Sequence, residues 1–250
     1  MPRYFLELSY KGTNYSGFQV QKNAKTIQSE VEKASQTFYK ARFDLTGSSR
    51  TDAGVHALQN YFHFDTDLPI SSTDLYNLNA ILPPDIAVTA LYKVSESAHC
   101  RFDALSRQYK YFIYNRKNPF LTDRAWHYPF KIDETLLHQA AQLVNNHTNF
   151  IAFSKRNTQV NNFNCSIELS QWSKQDGCLI YNVRANRFLR GMVRALVSSM
   201  LKVARGTSTL QEFEALLTCG KQSSASFAAP AHGLFLTEVQ YPHHYLHKLE

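Results

Sequence analysis

Hydrophobic and polar side chains alternate along several short stretches of the chain, and this period of two is typical of β-strands with one buried face. The alternation predicts strands at residues 3–10, 59–64, 86–94, 109–114, 165–169, 179–183 and 235–241. Polar segments separate these stretches, and Pro242 directly follows the last one. The pattern therefore predicts that β-sheet is a major component of the fold.

Apolar residues spaced by three or four positions predict helices between these strands. Helices are expected at residues 26–40, 72–82, 133–144 and 209–219, together with a long helix whose buried stripe is Phe188, Met192, Leu196 and Met200. The expected N-caps, whose side-chain oxygens can accept a backbone N–H of the first turn, are Thr26, Ser72, Asp133 and Thr209. Thr209 with Glu212 matches the capping box, and Gly220 can end that helix.

The order of these elements indicates the class of fold. The first half reads strand–helix–strand–helix–strand, and the second half has similar content. This order fits helices packed on one face of a sheet, which is an α/β (α+β) fold. The predicted domains are residues 1–105, which carry the candidate catalytic loop, and residues 106–250.

Composition narrows the class of protein. At 250 residues and 44% hydrophobic, the chain can bury a substantial core, as one large domain or two small ones. Its 27 basic and 20 acidic residues give a formal net charge of +7, which favours an anionic partner such as a nucleic acid. No apolar run approaches the length that spans a membrane, and the alternating N-terminus with Glu7 is typical of a strand rather than of a signal peptide.

The four cysteines, at positions 100, 165, 178 and 219, have no CxxC spacing. Neither a disulfide framework nor a zinc site is therefore expected, and a reducing cytoplasm suits these thiols. The histidines at positions 56, 63, 99 and 232 also lack metal-ligand spacing, and structural roles are expected for them.

The candidate chemistry lies in residues 47–57, a segment rich in Gly, Ser and Thr that leads into the strand at 59–64. Asp52 lies in this segment, with Arg50 two residues before it and His56 four residues after it. A loop carried by a sheet is a common position for catalytic groups. From these residues alone a turn role for Asp52 is favoured, because the segment has one acid, no acid–base pair and no metal-ligand spacing.

Five segments change that interpretation: residues 10–21, 50–57, 101–111, 186–194 and 228–234. The second reads Arg-Thr-Asp-Ala-Gly-Val-His-Ala and resembles the catalytic motif of the TruA-type tRNA pseudouridine synthases. The other four resemble the remaining blocks of that family, in the family's order, so the resemblance spans nearly the whole chain. It implies two similar α/β halves, each a mostly antiparallel sheet with helices on one face, that enclose a basic cleft.

The resemblance also implies a reaction, the isomerisation of uridine to pseudouridine at positions 38–40 of the tRNA anticodon stem-loop, and a homodimeric, cytoplasmic enzyme. The reaction exchanges an N1–C1′ bond for a C5–C1′ bond, so it requires no cofactor and no metal ion. By its position in the motif, Asp52 is the nucleophile. Whether its carboxylate adds to C1′, deprotonates C2′ or adds to the base stays open.

Three further residues match family positions with roles in the site. Arg50 matches the residue that holds the space left by the flipped base, Tyr109 the substrate-stacking tyrosine, and Arg194 the cation paired with the catalytic aspartate. For Arg194 the alternative is an exposed helix face shared with Arg187 and Arg190. For Tyr109, and for Tyr111 on the same face of the strand, the alternative is packing in the core.

The chain departs from the family pattern at four uncharged positions: Phe18, Ser49, Ala195 and Ser198. The rival function is a catalytically inactive tRNA-binding or chaperone protein of the same fold. The simultaneous presence of the four candidate site residues argues against that rival: Arg50, Asp52, Tyr109 and Arg194.

Overall fold

The computed structural model describes residues 1–156 and 160–249. Ten strands lie in them: β1 (Arg3–Tyr10), β2 (Thr46–Gly47), β3 (His56–Asp65), β4 (Ile86–Val94), β5 (Ser106–Tyr114), β6 (Trp126–His127), β7 (Ile167–Gln175), β8 (Cys178–Ala185), β9 (Leu234–Gln240) and β10 (His247–Lys248). The α-helices of the same residues are α1 (Ile27–Tyr39), α2 (Asp74–Ile81), α3 (Glu134–Asn145), α4 (Met192–Ala204) and α5 (Leu210–Thr218). The predicted α/β class with mostly antiparallel pairing is confirmed. No helix of this described part is both long enough and apolar enough to cross a membrane.

The chain divides into two units by its internal contacts. The first unit contains Met1–Leu105 together with the chain from Leu236 onward, and the second contains Ser106–Phe235. The chain after Leu236, which the sequence pattern assigns to the second half, therefore packs with the first unit. Aromatic packing gives the physical reason, since the ring centroid of Tyr241 lies 5.5 Å from that of Phe5 and 5.2 Å from that of Tyr61.

The sheet of the first unit is organised around β1. This strand pairs antiparallel with β3 on one side and with β4 on the other, so Phe5 lies opposite both His63 and Tyr92. β2 pairs with β3, and β10 pairs with β4. Leu6 and Leu8 are buried, as the alternation predicts for one face of this strand, and Phe5 of the opposite face is fully buried as well.

The first unit's two helices begin differently. The Thr26 hydroxyl accepts the N–H of Ser29 at 3.2 Å, and the Ser29 hydroxyl accepts the N–H of Thr26 at 3.0 Å, so the predicted cap of α1 is confirmed. For α2 the predicted cap, Ser72, is wrong. The N-cap is Thr73, which makes no capping hydrogen bond, and Asp74 at the start of the helix accepts the N–H of Ser71 instead.

In the second unit, β8 lies between β5 and β7 in antiparallel pairing, and the short β6 runs parallel to β5. Helix α3 contacts β7, α4 and α5. Asp133 caps α3 by accepting the N–H of Leu136, and Thr209 and Glu212 form the predicted capping box of α5. Helix α5 ends at Thr218 with an extended C-cap, so the expected closure by Gly220 is wrong.

Helix α4 begins later than the hydrophobic stripe predicts. Its N-cap is Gly191, whose φ of 76° lies in the left-handed region and interrupts the helical backbone. Phe188 therefore precedes the helix, and its assignment to the helical stripe is wrong. Arg187 and Arg190 precede the helix as well, so they share no helix face with Arg194.

Candidate active site

Asp52 lies on the loop that joins β2 to β3. The N–H of Ser48 donates to the carbonyl of Tyr61 at 2.8 Å, and after this bond the chain leaves the sheet. It rejoins the sheet at His56, which is earlier than the alternation predicts, because the motif histidine already belongs to β3. The loop is therefore anchored at both ends to neighbouring strands of one sheet.

Within the loop, the N–H of Val55 donates to the carbonyl of Asp52 at 3.1 Å and closes a turn. Asp52 is half-buried, and Arg50 is exposed. The turn role that local chemistry favours for Asp52 is thus carried by its backbone. The residue as a whole is only partly shielded from solvent, which is compatible with meeting a substrate.

A second loop, residues 11–18, packs against the Asp52 loop. The N–H of Gly12 donates to Nδ1 of His56 at 3.0 Å, and the N–H of Phe18 donates to the carbonyl of Thr51 at 3.1 Å. A Cβ at position 12 would lie 2.0 Å from the carbonyl oxygen of Val55, so only glycine fits there. The two N-terminal segments that carry the family resemblance are therefore in direct contact.

Phe18 and Ser49 are two of the departures from the family pattern. The ring of Phe18 stacks on that of Phe62 with centroids 4.6 Å apart, and a Cβ at Gly47 would lie 2.2 Å from Phe18 Cε1. This ring therefore fills the space against the backbone at the start of the loop. Ser49 is 7% exposed, and its hydroxyl has no hydrogen-bond partner within the described residues.

In the second unit, Tyr109 lies on β5 opposite Val183 of β8. Its side chain is 9% exposed, and its ring makes an edge-to-face contact with Phe188 at a centroid distance of 5.0 Å. Phe188 is the residue near the candidate site that the sequence pattern misses, because its spacing from later apolar residues imitates a helix. Its ring limits the orientations open to the Tyr109 ring.

Tyr111 is a core residue, as expected from the alternation. It is fully buried, and its hydroxyl donates to the carbonyl of Pro230 at 2.8 Å. Burial raises the pKa of this phenol well above its usual value, so Tyr111 stays neutral. A Cβ at Gly233 would lie 2.8 Å from the Tyr111 ring, which joins the segment at 228–234 to β5.

Arg194 lies in the first turn of α4 and is half-buried. Its Nε donates to the carbonyl of Ala229 at 2.6 Å, which directs the guanidinium group. Ala229 is fully buried, so this acceptor is held firmly. The alternative of an arginine on a fully solvated helix face is therefore wrong, and the two C-terminal segments that carry the resemblance are in contact.

The four predicted site residues are thus divided equally between the units. Asp52 and Arg50 lie on one loop of the first unit, while Tyr109 and Arg194 lie on β5 and α4 of the second. Other basic side chains have structural contacts. Arg107 donates to the carbonyl of Asn186 at 3.1 Å.

His63, His99 and Cys100 of the first unit bring three potential metal-ligand atoms within 4.8 Å of one another. Nδ1 of His63 accepts the N–H of Cys100 at 3.3 Å, and Nδ1 of His99 accepts the N–H of Arg101 at 3.2 Å. The Cys100 thiol donates to the carbonyl of Thr46 at 3.1 Å. All three residues thus make hydrogen bonds within the protein. Sequence spacing does not indicate this cluster, because His63 lies on β3 and the other two residues lie in the distant segment between β4 and β5.

Comparison with known proteins identifies the family of this chain. The family model described as tRNA pseudouridine synthase matches residues 8–103 and 140–242. The chain is 38% identical over 244 residues to tRNA pseudouridine synthase A of Parabacteroides distasonis, which covers 97% of both chains. It is 39% identical over 246 residues to the Bacteroides thetaiotaomicron protein of that name (97% of this chain, 91% of the relative) and 35% identical over 240 residues to the Staphylococcus aureus protein (95% and 91%). The chain therefore belongs to the tRNA pseudouridine synthase family.

Proposed function

We propose that this protein isomerises uridine to pseudouridine at positions 38–40 in the anticodon stem-loop of tRNAs, with Asp52 as the nucleophile. The observation that carries the proposal is the position of Asp52. It lies within the family match, on a loop anchored to two strands and to a second motif segment. A carboxylate held in this way is a suitable nucleophile for glycosyl chemistry.

The reaction breaks the N1–C1′ bond, turns the base and joins C5 to C1′. The hydrogen that leaves C5 is released to water, and N1 gains a proton, so atoms and charge balance without an oxidant or a cofactor. The enzyme has to hold the detached uracil while it turns. Asp52 can act at C1′, at C2′ or at the base, and each of these routes uses the same carboxylate.

The other three residues have separate roles in the proposal. Arg50 is exposed beside the nucleophile and fills the space that the target base leaves when it flips out of its stack. Tyr109, backed by Phe188, supplies an aromatic surface for the uracil ring. Arg194, directed by its bond to Ala229, supplies positive charge to the reaction.

The proposed RNA substrate is consistent with the charge. A net charge of +7 favours binding to an RNA backbone, with an affinity that falls as salt rises. We expect recognition of the shape of the stem-loop rather than its sequence, since three adjacent uridine positions are accepted. We further propose a cytoplasmic homodimer, which analytical ultracentrifugation at concentrations spanning the assay range would test.

The test of this function uses tRNA transcripts labelled with tritium at uridine C5. We expect tritium release from a transcript with uridine at 38, 39 and 40, and none when all three are replaced by cytidine. A transcript in which uridines elsewhere in the anticodon arm are replaced is the matched control and should remain a substrate. Equal release from all three transcripts would contradict the assigned positions, and no release from any would contradict the enzyme activity.

A further inference from the structure

The backbone hydrogen bonds between β2 and β3 end just before the loop that carries Asp52. The side chain of Asn60 continues this pairing by one residue. Gly47 pairs with Phe62, and the N–H of Ser48 bonds to the carbonyl of Tyr61. One residue further along the loop, both backbone groups of Ser49 bond to the Asn60 side chain. The N–H of Ser49 donates to Oδ1 at 3.2 Å, and Nδ2 of Asn60 donates to the carbonyl of Ser49 at 2.8 Å.

Asn60 uses its full hydrogen-bonding capacity in this position. Besides the two bonds to Ser49, Oδ1 accepts the N–H of Tyr61 at 2.9 Å, and Nδ2 donates to the hydroxyl of Tyr10 at 3.1 Å. The amide has two donor hydrogens and two acceptor sites, and all four are engaged. Asn60 is fully buried, so loss of any of these bonds would leave a polar group without a partner away from water.

The Tyr10 hydroxyl links the Asn60 amide to Thr51, the residue that follows Arg50. It lies 2.8 Å from Oγ1 of Thr51, and both residues are buried, with Tyr10 5% and Thr51 8% exposed. Asn60 therefore holds the backbone on one side of Arg50 directly and the residue on its other side through Tyr10. Thr51 immediately precedes Asp52, so this chain of bonds ends at the side chain of the residue next to the proposed nucleophile.

We propose that Asn60 and Tyr10 are positioning residues for the isomerisation: together they fix residues 49 and 51 and so set the place of the Asp52 carboxylate. This inference rests on the proposed function of Asp52. Neither residue needs to touch the substrate, because both side chains are buried and act through their hydrogen bonds to the loop. A small displacement of a reacting group is enough to slow a chemical step strongly.

The test compares Tyr10→Phe, Asn60→Asp and Thr51→Val with matched controls. Tyr10→Phe removes only the linking hydroxyl, and Tyr61→Phe controls for it by removing a similarly buried hydroxyl that bonds to Glu7 instead. Asn60→Asp removes both donors. Asn79→Asp controls for the loss of such amide bonds at an exposed site, because the Asn79 amide also bonds to both backbone groups of one residue, Val88, in the same unit.

We expect Tyr10→Phe to slow single-turnover tritium release at saturating tRNA by about tenfold to a hundredfold. Binding of tRNA should be unchanged, and Tyr61→Phe should react at the native rate. Thr51→Ser keeps the hydroxyl and should retain activity, whereas Thr51→Val combined with Tyr10→Phe should be no slower than the slower single variant. A native chemical rate in folded Tyr10→Phe and Asn60→Asp would overturn the proposal, as would weaker binding with an unchanged rate.

Hydrogen–deuterium exchange separates this proposal from the proposed function. We expect the amides of residues 48–53 to exchange faster in Tyr10→Phe and Asn60→Asp than in the native protein and the two controls. If the native protein released no tritium, the proposed function would fail, and exchange would still decide whether these residues hold the loop. Unchanged exchange in both variants would overturn the positioning role.

Discussion

His63 gives this protein a specific sensitivity to acid. Its imidazole is 7% exposed, and burial, followed by the neighbouring His99 and Arg3, lowers its pKa from 6.5 to about 4. The folded protein therefore keeps His63 neutral over a range in which the unfolded chain takes up a proton. The contribution of His63 to stability is complete above the unfolded pKa and is lost as pH falls from 6.5 toward 4.

The size of the effect follows from the shift in pKa. One pKa unit corresponds to about 1.4 kcal/mol, so the full shift amounts to roughly 3 kcal/mol. Between about pH 7 and pH 5 the free energy of unfolding should fall by about 2 kcal/mol through His63. The carboxyl groups of Asp65 and Asp103 have lowered pKa values, so they lose their stabilising effect only at more acidic pH and fall outside this window.

The assay is urea denaturation of the native protein and His63→Asn at these two pH values. The asparagine oxygen can still accept the N–H of Cys100, and His138→Asn, an exposed site on α3, controls for the loss of a histidine. We expect His63→Asn to be less stable at neutral pH because it leaves a cavity, and to lose clearly less stability on acidification. Some dependence remains, since the pKa of His99 is also lowered by burial. A variant with the native pH dependence would refute the reasoning.

Three further changes test the packing that supports the site. Gly12→Ala places a Cβ 2.0 Å from the carbonyl oxygen of Val55, so the loop of residues 11–18 and the Asp52 loop must separate. Thermal unfolding should show that the free energy of unfolding is lower by about 1–3 kcal/mol, and tritium release should be slower. Thr26→Ala removes the cap of α1 and should lower the free energy of unfolding by about 1 kcal/mol in urea, whereas Thr26→Ser should not; equal stability of the two variants would contradict the cap. Met200→Ala, at a fully buried position of α4, should destabilise by about 2–5 kcal/mol, and Lys202→Ala, at an exposed position of the same helix, is its control and should not.

Local chemistry is the part of the fold that the sequence predicts best. Thr26, Asp133 and Thr209 all cap the helices expected of them, because a cap depends on a side chain and an N–H only a few residues apart. The alternating strands from Arg3 and from Ile86 also have the expected bounds. In each case the determining interaction is close in sequence or repeats along one face.

Backbone conformation limits the prediction of α4. The apolar spacing from Phe188 to Met200 fits a helix, but Gly191 at φ 76° breaks it, and periodicity carries no information on φ. Phe188 instead packs against Tyr109, and no local sequence pattern indicates this contact. The same limit applies to Ser72, which lies one residue before the actual N-cap of α2.

Contacts between distant segments are the other part that the sequence does not reveal. Asn60 bonds to Ser49 and Tyr10, and His56 bonds to Gly12, but each pair is separated by many residues. Only the family resemblance indicates a catalytic role for Asp52, because its own surroundings favour a turn residue. The structure adds the hydrogen bonds that hold the Asp52 loop in place. Composition and periodicity do not predict these bonds.

The most direct test of the central claim is single-turnover tritium release by Asp52→Asn, measured beside the native protein. Asp44→Asn, which neutralises an exposed acid of the same unit, is the control. We predict no release by Asp52→Asn with tRNA binding retained, and native release by Asp44→Asn. Release at the native rate by folded Asp52→Asn would contradict the account, because the isomerisation would then proceed without the carboxylate on which the proposed mechanism depends.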